Sequence, residues 1–430
     1  MSQATDQLSP VDVGWRRMLM LLKRRDFALL WSAGLVSIAG DKMLFIALPL
    51  HTYALTGSTL ATGLMTVAAY APRVLLGFIA GACVDRWGLK RTMVWANLLR
   101  ALALLLLLAA HSPEMLWVVY IVAAVEAAIS TFFDPAENAL LPRLVAKDEL
   151  IAANTLNGLN NNLALLVGPA LGGMLFASSG LSGVALVDAL TYLVGAGLIF
   201  LVSAASGPAS RGREWAGSAR ARLRRDLIEG LRVVRGERAL WTLIIVTAIA
   251  ALGGGLLVPL WVPFLTGVLG GNEVYVGLLF SAQALGALPG GLLVARYGGG
   301  FAPAHLLGWG LLAQGLVDLV LFGSASFGVP ADVLKSLALV LVVLFGIPSI
   351  AWVASYQTLL QQWSPEQYRG RVFGAAAAVE AGCHLVGLSV AGPLGEGIGV
   401  VPTMVAAAGL EMFAALAALR LLSVSEAEFS

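Results

Sequence analysis

The stretch Gly81-Ala82-Cys83-Val84-Asp85-Arg86-Trp87-Gly88-Leu89-Lys90-Arg91 concentrates charge in a short segment between two long apolar runs. Each run is long enough to cross a bilayer as a helix, so the stretch is predicted to be a short loop between two antiparallel membrane helices. Charge at a membrane surface needs a partner or water. Two interpretations are open: the loop is a gate latch built on Asp85 and its neighbouring cations, or its cations only set the topology.

The composition of the whole chain points to an all-α integral membrane protein. Of its 430 residues, 59% are hydrophobic and only 12% are charged, which is too apolar for a soluble core. The net charge of +2 is small and the cations cluster at the predicted membrane edges, so we expect no nucleic-acid partner. Cys83 and Cys383 lie far apart and form neither a disulfide framework nor a metal-binding pattern, and we expect no metal site.

Apolar runs of about twenty residues predict twelve membrane spans. They cover residues 28–50, 59–82, 92–110, 115–137, 155–178, 184–204, 239–266, 274–296, 303–323, 332–358, 371–392 and 398–420. An even number of spans places both termini on one side of the membrane.

The distribution of basic residues predicts which side that is. Of the 27 Lys and Arg residues, only Lys42, Arg73, Arg100 and Lys335 lie inside spans, if the terminal residues Arg296, Arg371 and Arg420 are counted with the adjoining connections or tail. All the others lie in the termini or in connections on the same side as the termini. The positive-inside rule therefore predicts cytoplasmic N- and C-termini, a cytoplasmic 81–91 loop, and an uncleaved first span in the plasma membrane.

The longest connection divides the chain into two halves. The predicted organisation is a cytoplasmic segment 1–26, a six-helix bundle 27–204, a cytoplasmic linker 205–238, a six-helix bundle 239–421 and a cytoplasmic tail 422–430. The pattern Gly81…Arg86-Trp87-Gly88 has a counterpart in Gly291…Arg296-Tyr297-Gly298, at an offset of 210 residues. Internal duplication of this kind is typical of transporters.

The linker contains a predicted amphipathic helix. Leu223, Leu227, Leu231 and Val234 recur at helical spacing, with cations on the other faces. Such a helix is expected to lie on the inner leaflet of the membrane, and anchoring is favoured over binding of a partner.

At the level of motifs, the chain resembles the major facilitator superfamily. The 81–91 loop resembles the family signature between helices 2 and 3, although Leu89 stands where a base is common. Its matching positions are Gly81, Asp85, Arg86, Gly88, Lys90 and Arg91. A second motif, Gly168-Pro169…Gly172-Gly173, resembles the helix-5 signature of exporters, especially proton-coupled antiporters.

Further runs resemble the bacterial branch of that family which includes macrolide and enterobactin exporters. They are Gly40-Asp41…Ala47-Leu48-Pro49, Phe133-Asp134-Pro135-Ala136…Leu141-Pro142 and Ala152-Ala153-Asn154. The resemblance implies two pseudo-symmetric six-helix bundles of the major facilitator fold that work by alternating access. It also implies that Asp85 meets the cytoplasmic start of helix 11, where Arg369 and Arg371 would complete a cytoplasmic gate.

Embedded charges can be paired by depth, because residues equally far from a hairpin turn lie at the same level. This test matches Asp41 with Arg73, Glu126 with Arg100, and Asp318 with Lys335. Asp41 and its neighbour Lys42 cannot share a helix face, so one of them is expected to face the cavity. Asp188 has no base at its level and is expected to meet water.

Glu380 and His384 lie on one face of span 11, and Glu411 of span 12 lies at the level of His384. They form either an acid–His–acid relay, whose histidine could change charge near neutral pH, or a polar network that locks the two helices together. The candidates for proton coupling are Asp41, Glu126, Glu380, His384 and Glu411, with Arg73, Arg100 and Lys42 as charge partners.

Aromatic and amide side chains provide candidates for a substrate cavity. They are Trp261, Gln283, Trp352, Tyr356 and Gln357. Such residues suit a greasy, partly polar substrate, although Trp and Tyr also anchor helices at interfaces. Gly253-Gly254-Gly255, followed by Pro259 and Pro263, predicts a bendable span 7.

Together these features favour a secondary transporter of the bacterial inner membrane. The chain has no nucleotide-binding loop, no HExxH and no Ser/His/Asp arrangement, so we expect no enzyme activity and no cofactor, with a proton gradient as the energy source. The expected substrate is an amphipathic drug, macrolide or siderophore-like molecule, exchanged for protons by a monomer in contact with membrane lipid. The alternatives are a lipid or lysophospholipid flippase and a non-transporting membrane scaffold or receptor.

Overall fold

A computed structural model describes residues 18–203 and 219–422. The side chains of Phe78, Ala82, Asp85 and residues 219–224 lie outside that description. Most of the predicted N-terminal segment and nearly all of the predicted tail therefore fall outside it as well.

The first half contains six membrane helices. They begin with α1 (Arg25–Thr56), α2 (Thr59–Trp87), α3 (Leu89–Leu105) and α4 (Leu116–Leu140). Leu150–Phe200 is helical throughout except at Gly180, whose φ of 64° and ψ of −165° turn the chain back. We therefore divide it into α5 (150–179) and α6 (181–200). Glycine is required at Gly180 because L side chains are strained at this φ.

The second half follows a linker helix. That helix is α7 (Ala219–Gly236), and the membrane helices are α8 (Arg238–Leu257), α9 (Glu273–Tyr297), α10 (Pro303–Ser324), α11 (Ala331–Trp363), α12 (Arg369–Gly397) and α13 (Val400–Ala417). Beyond α8, the same span continues as a 3₁₀ turn, Val258–Leu260, and a π-helical turn, Pro263–Val268. Prolines within these turns interrupt the α-helical ladder, as the sequence predicts for span 7.

The twelve predicted spans are confirmed. In the described ranges, eleven segments are long and apolar enough to cross a membrane, and one of them, Lys147–Phe200, contains both α5 and α6. Because the number of spans is even, Met18 and Leu422 lie at the same end of the bundle as α7. We call this the linker end and the other the opposite end.

The most extensive contacts between the halves in the described ranges are those of α5 with α9 and of α2 with α12. Both pairs meet closely near the opposite end, where glycines allow the backbones to approach. A Cβ atom placed on Gly173 of α5 would lie 3.1 Å from the Cα of Gly277, and one on Gly63 of α2 would lie 3.1 Å from the Cα of Gly392. The halves are therefore packed together at the opposite end.

The linker helix packs on the second half, against α12 and α8. Val234 is fully buried in the apolar core of that half, and Gly230 lies against the backbone of Arg371. Arg371 also forms ion pairs with Asp226, at 3.2 Å, and Glu229, at 2.7 Å. The expectation that the apolar face lies on the membrane is therefore wrong for Val234, because this residue packs against protein instead. Leu223 lies among the side chains outside the description.

Candidate functional site

A cavity of about 800 Å³ lies against the inner face of the first half. Its wall runs from Leu48 on α1 to Asn154, close to the start of α5 at the linker end. His384 and Leu388 of α12 contribute from the second half. Because the halves pack together at the opposite end, the cavity has its access from the linker end.

The cavity wall carries an ion pair between α3 and α4. Arg100, only 3% exposed, places its Nε 3.5 Å from Oε1 of Glu126. Ser130 donates to the same carboxylate oxygen at 3.1 Å and accepts a hydrogen bond from Arg100. The predicted pairing of Arg100 with Glu126 is therefore confirmed, and the pair lies on the side of a large polar cavity.

Tyr192 of α6 extends this cluster to α1. Its hydroxyl contacts both Glu126, at 3.0 Å, and Asp41, and its ring lies 5.1 Å from the Arg100 guanidinium. Tyr192 is fully buried. Asp41, Glu126, Arg100 and Tyr192 thus form one connected network on the cavity wall, which we call the Asp41 network.

This arrangement corrects one pairing predicted from depth and the expected environment of Asp188. The sequence predicts Arg73 as the partner of Asp41, but Asp41 accepts a hydrogen bond from Tyr192 instead. Arg73 and Lys42 both lie on the cavity wall. Asp188 does not meet water as expected, because it is fully buried behind Asp41 and accepts a hydrogen bond from Thr191 at 2.9 Å. The space for its carboxylate comes from Gly40, where a side chain would collide with it.

The third depth pairing, between Asp318 and Lys335, is wrong. Lys335 lies 3.5 Å from Asp332, one turn away on its own helix. Asp318 is buried beside Glu411 of α13, a second acid. Depth alone does not specify the direction in which a side chain points around its helix axis, and these two residues point to different neighbours.

The relay predicted for the second half is not assembled. Glu411 accepts a hydrogen bond from Gln314 at 3.2 Å. The ring nitrogen Nδ1 of His384 lies 3.2 Å from the carbonyl oxygen of Ala251, and Glu380 lies beside Tyr356 and Thr247. The three side chains thus have separate partners. His384 and Glu411 nevertheless line the same smaller cavity of about 200 Å³ within the second half.

Only two of the five residues predicted to line a substrate cavity lie on a cavity wall in the structure. Trp261 and Gln283 line the smaller cavity. Trp352 lies behind it and donates to Gln314 at 2.8 Å. Tyr356 is buried beside Glu380, while Gln357 is exposed.

The prediction that residues 81–91 form a loop is wrong, because α2 extends to Trp87, α3 begins at Leu89, and only Gly88 separates them. This charged stretch lies at the linker end, away from the close contacts that join the halves. Gly88 terminates α2 with a φ of 86°, a conformation that favours glycine. Lys90 donates to the carbonyl of Val202 at 2.7 Å and lies over the ring of Phe200. Arg371, which the resemblance places opposite the loop, pairs with α7 instead. The contact of Asp85 with the start of α12 stays a prediction, since that side chain is outside the description.

The Gly-Pro motif of α5 serves two interfaces. Gly168 and Gly172 pack against the backbone of α1, within the first half. Gly173 packs against Gly277, and the N–H of Ala170 donates to the Ser281 hydroxyl at 3.0 Å, so this end of the motif joins the halves. Gly173 therefore allows the two halves to approach, whereas Gly168 and Gly172 allow α1 and α5 to approach within the first half.

Sequence reasoning missed Tyr192 and Ser130, because it paired acids only with bases and treated tyrosines as interfacial anchors. It also assigned no role to a group of polar residues near the linker end of the larger cavity: Asp134, Glu137, Asn138, Asn154, Asn157 and Asn161. Asp134 and Asn154 do belong to motifs quoted above, and their position within apolar helices was the available signal.

Residues 30–387 match the sequence profile of the Major Facilitator Superfamily. The chain belongs to this family. It is 27% identical over 409 residues to an MFS-type transporter of Bacillus subtilis, YjbB, covering 94% of this chain and 96% of the relative. It is 23% identical to macrolide efflux protein A of Streptococcus pyogenes, covering 87% and 90%. With the multidrug efflux pump Tap of Mycolicibacterium fortuitum it shares 27% identity, covering 89% and 92%.

Solved structures confirm the fold of this transporter. A bacterial homologue of the iron transporter ferroportin in an inward-facing state superposes with a TM-score of 0.73 at 18% identity, covering 93% of this chain and 99% of that one. The nucleoside transporter NupG superposes with a TM-score of 0.76 at 11% identity, covering 92% and 99%. The major facilitator fold predicted from the sequence is thus established, and the family is one of transporters rather than an enzyme class.

Proposed function

We propose that this transporter is a proton-coupled antiporter that exports amphipathic small molecules from the bacterial cytoplasm by alternating access. Its relatives include proteins named for macrolide and multidrug efflux, which supports the substrate class. In this proposal the linker end faces the cytoplasm, and the larger cavity is the substrate path in its inward-facing form. The protein works as a monomer, and the surrounding partner is membrane lipid.

The observation that carries the proposal is the shortage of hydrogen-bond donors in the Asp41 network. The Tyr192 hydroxyl contacts two carboxylates, yet a hydroxyl has only one proton to donate. Glu126 has a further donor in Ser130 and an ion pair with Arg100, whereas Tyr192 is the donor that Asp41 contacts. A proton on Asp41 would complete the network, because the acid could then donate to the tyrosine oxygen. Asp41 is therefore the proposed site of the coupled proton, with Glu126 and Arg100 as its charge partners.

The charges of the cavity are consistent with this role. Four acids line it, Asp41, Glu126, Asp134 and Glu137. The bases on its wall are Lys42, Arg73, Arg100 and His384, so the acids are in excess whenever the histidine is neutral. An excess negative charge in a membrane interior is costly, and a proton or a cationic substrate removes it. The two ligands compete for the same charge, and each shifts the balance of conformations by its differential affinity.

Purified protein in proteoliposomes tests the proposal. An imposed pH gradient is expected to drive a macrolide or a fluorescent dye against its concentration gradient, with counterflow of protons. Asp41→Asn is expected to abolish this driven transport, because the amide can keep the contact with Tyr192 but cannot take up or release the coupled proton. Asp332→Asn, an exposed acid of α11, is the matched control and should transport normally. Driven transport by Asp41→Asn, or lipid movement without a pH gradient, would contradict the proposal.

In the same proposal Asp85 is a latch of the outward-open form, meeting the start of α12 when the linker end closes. The positive N-terminal end of the α12 dipole, together with the cations Arg369 and Arg371, favours an anion there. Asp85→Asn is expected to slow transport and to reduce the outward-open population. Unchanged transport and unchanged accessibility of the linker end would show that the loop only sets the topology.

A further inference from the structure

The smaller cavity lies within the second half, and no residue of the Asp41 network lines it. Its volume is about 200 Å³, and aromatic rings form part of its wall. Trp261 lies edge-on to Phe280, with 6.0 Å between ring centroids. Val258 and His384 line both this cavity and the larger one, so the two spaces adjoin.

Two acids from different helices meet in this cavity. Asp318 of α10 is 1% exposed, Glu411 of α13 is 2% exposed, and their carboxyl groups are within hydrogen-bonding reach of each other. Gln314 donates a hydrogen bond to Glu411 and accepts one from the ring N–H of Trp352, which fixes the orientation of the amide. The Oδ2 atom of Asp318 has no hydrogen-bond partner within the described part of the chain.

This acid pair has no compensating base. In the described ranges, no Lys or Arg lines the cavity, and His384 of α12 is the one other titratable side chain on its wall. Its Nδ1 is directed to the carbonyl of Ala251. Repulsion between two ionised carboxylates in contact forces one proton onto the pair, and burial of the pair without a base favours a second proton when the cavity contains no cation.

We propose that this cavity binds the basic head of the exported molecule, an organic ammonium group, between the Asp318–Glu411 pair and the ring of Trp261. This inference rests on the proposed export function. The apolar body of the exported molecule would extend past His384 into the larger cavity. A volume of about 200 Å³ accommodates an ammonium head but not a drug-sized molecule, since whole-ligand pockets hold about 300–1,000 Å³. Aromatic rings attract such cations through their faces.

Charge balance gives the proposal a measurable signature. Without a cation, the pair is neutral when it carries two protons. When a monovalent ammonium binds, one proton leaves to the solution, and the remaining single negative charge on the pair neutralises the ligand. One proton is therefore released for each cation bound.

Phenyltrimethylammonium, which has a permanent charge and no proton of its own, is the probe. Titration into the purified protein in weakly buffered solution measures its affinity and, with a pH indicator, the protons released. The wild type is expected to release one proton per bound probe. Asp318→Asn and Glu411→Gln are each expected to weaken binding at least about tenfold, and the double variant, which keeps no carboxyl group on the pair, is expected to release no proton. Asp332→Asn is the control, because its carboxylate is exposed, and should behave as the wild type.

Trp261→Leu keeps both acids and guards against misfolding of the amide variants. It is expected to weaken probe binding by about two- to thirtyfold, with one proton still released per bound cation. Absence of probe binding by the wild type, binding without proton release, or equal affinity of wild type, Asp318→Asn and Trp261→Leu would overturn the proposal. Asp41→Asn separates the two proposals: it should lose proton-driven transport yet bind the probe with proton release. Retained driven transport in Asp41→Asn would contradict the antiport proposal and leave the ammonium site standing.

Discussion

Glu396, near the end of α12, accepts a hydrogen bond from the backbone N–H of Leu60, at 3.3 Å, in the first turn of α2. It also contacts the hydroxyl of Ser58, which caps the same helix by accepting from the N–H of Ala61. A carboxylate of the second half thus caps a helix of the first. The unpaired N–H groups and the positive end of the helix dipole both favour an anion at this point. We regard this contact as part of what keeps the opposite end closed.

The first prediction concerns this contact. Glu396→Gln retains an acceptor but removes the charge, and neutral hydrogen bonds are weaker than charged ones by about 1 kcal/mol. We expect the population with an open opposite end to rise about fivefold. The readout is the accessibility of a cysteine that replaces Thr59, which is buried against Gly392, in a background without Cys83 and Cys383. Asp332→Asn, at the same end but within one helix, should leave the accessibility unchanged. An equal effect of both variants would show that only the net charge matters.

The second prediction concerns Tyr192, the residue that joins Asp41 to Glu126. Tyr192→Phe removes the shared hydroxyl and leaves a buried carboxylate oxygen without its donor, at a cost of about 1–3 kcal/mol. The variant should unfold at a lower temperature, and proton-driven transport should fall at least about fivefold. Tyr356→Phe, a buried tyrosine of the second half, is the matched control and should retain the proton coupling. Coupled transport at the wild-type rate in Tyr192→Phe would exclude the hydroxyl from the proton path.

The third prediction concerns the contact of Gly173 with Gly277. Gly173→Ala introduces a Cβ 3.1 Å from the Cα of Gly277, and still closer to the carbonyl of Glu273. Overpacking of this kind costs about 1–3 kcal/mol. The closed opposite end should therefore lose population, measured as a longer spin-label distance between α5 and α9. Gly409→Ala is the control, since a Cβ at Gly409 meets open space. A distance that does not change would mean that the contact is not under strain in the closed form.

The fourth prediction concerns docking of the linker helix. The hydrogen bond from Arg225, and after it the charge of Arg371, hold the pKa of Glu229 below its ordinary value of 4.5. The folded-state pKa is depressed, so this contribution is fully present above pH 4.5 and is lost as the pH falls through the lower folded value. Proteolysis of α7 should therefore accelerate in acid below pH 4.5.

Gly230→Leu should release α7 at every pH, because Gly230 lies against the backbone of Arg371 with no room for a side chain. Gly236→Ala is its control, since a Cβ there meets open space. If Gly230→Leu is as resistant to protease as the wild type, the helix is held by contacts other than these.

The partners of the embedded charges could be predicted only in part from the sequence. Depth is set by counting residues from a turn, and it correctly paired Arg100 with Glu126. It failed for Asp318 and Lys335, although they lie at nearly the same level, because rotation around a helix axis decides which neighbour a side chain meets. That rotation depends on packing between helices that are distant in the sequence.

The sequence by itself determined the twelve spans, the division into two halves and the family. The length of each apolar run and the charge of each connection are local properties, and the thickness and polarity of the bilayer decide directly which runs cross it. Only the tertiary structure decided that Tyr192 completes the Asp41 network, that Asp318 faces a second acid, and that Arg371 holds the linker helix. Each of these contacts joins residues on different helices. Their geometry depends on how the helices rotate and cross, and small residues such as Gly40 and Gly230 set those crossings by allowing close approach.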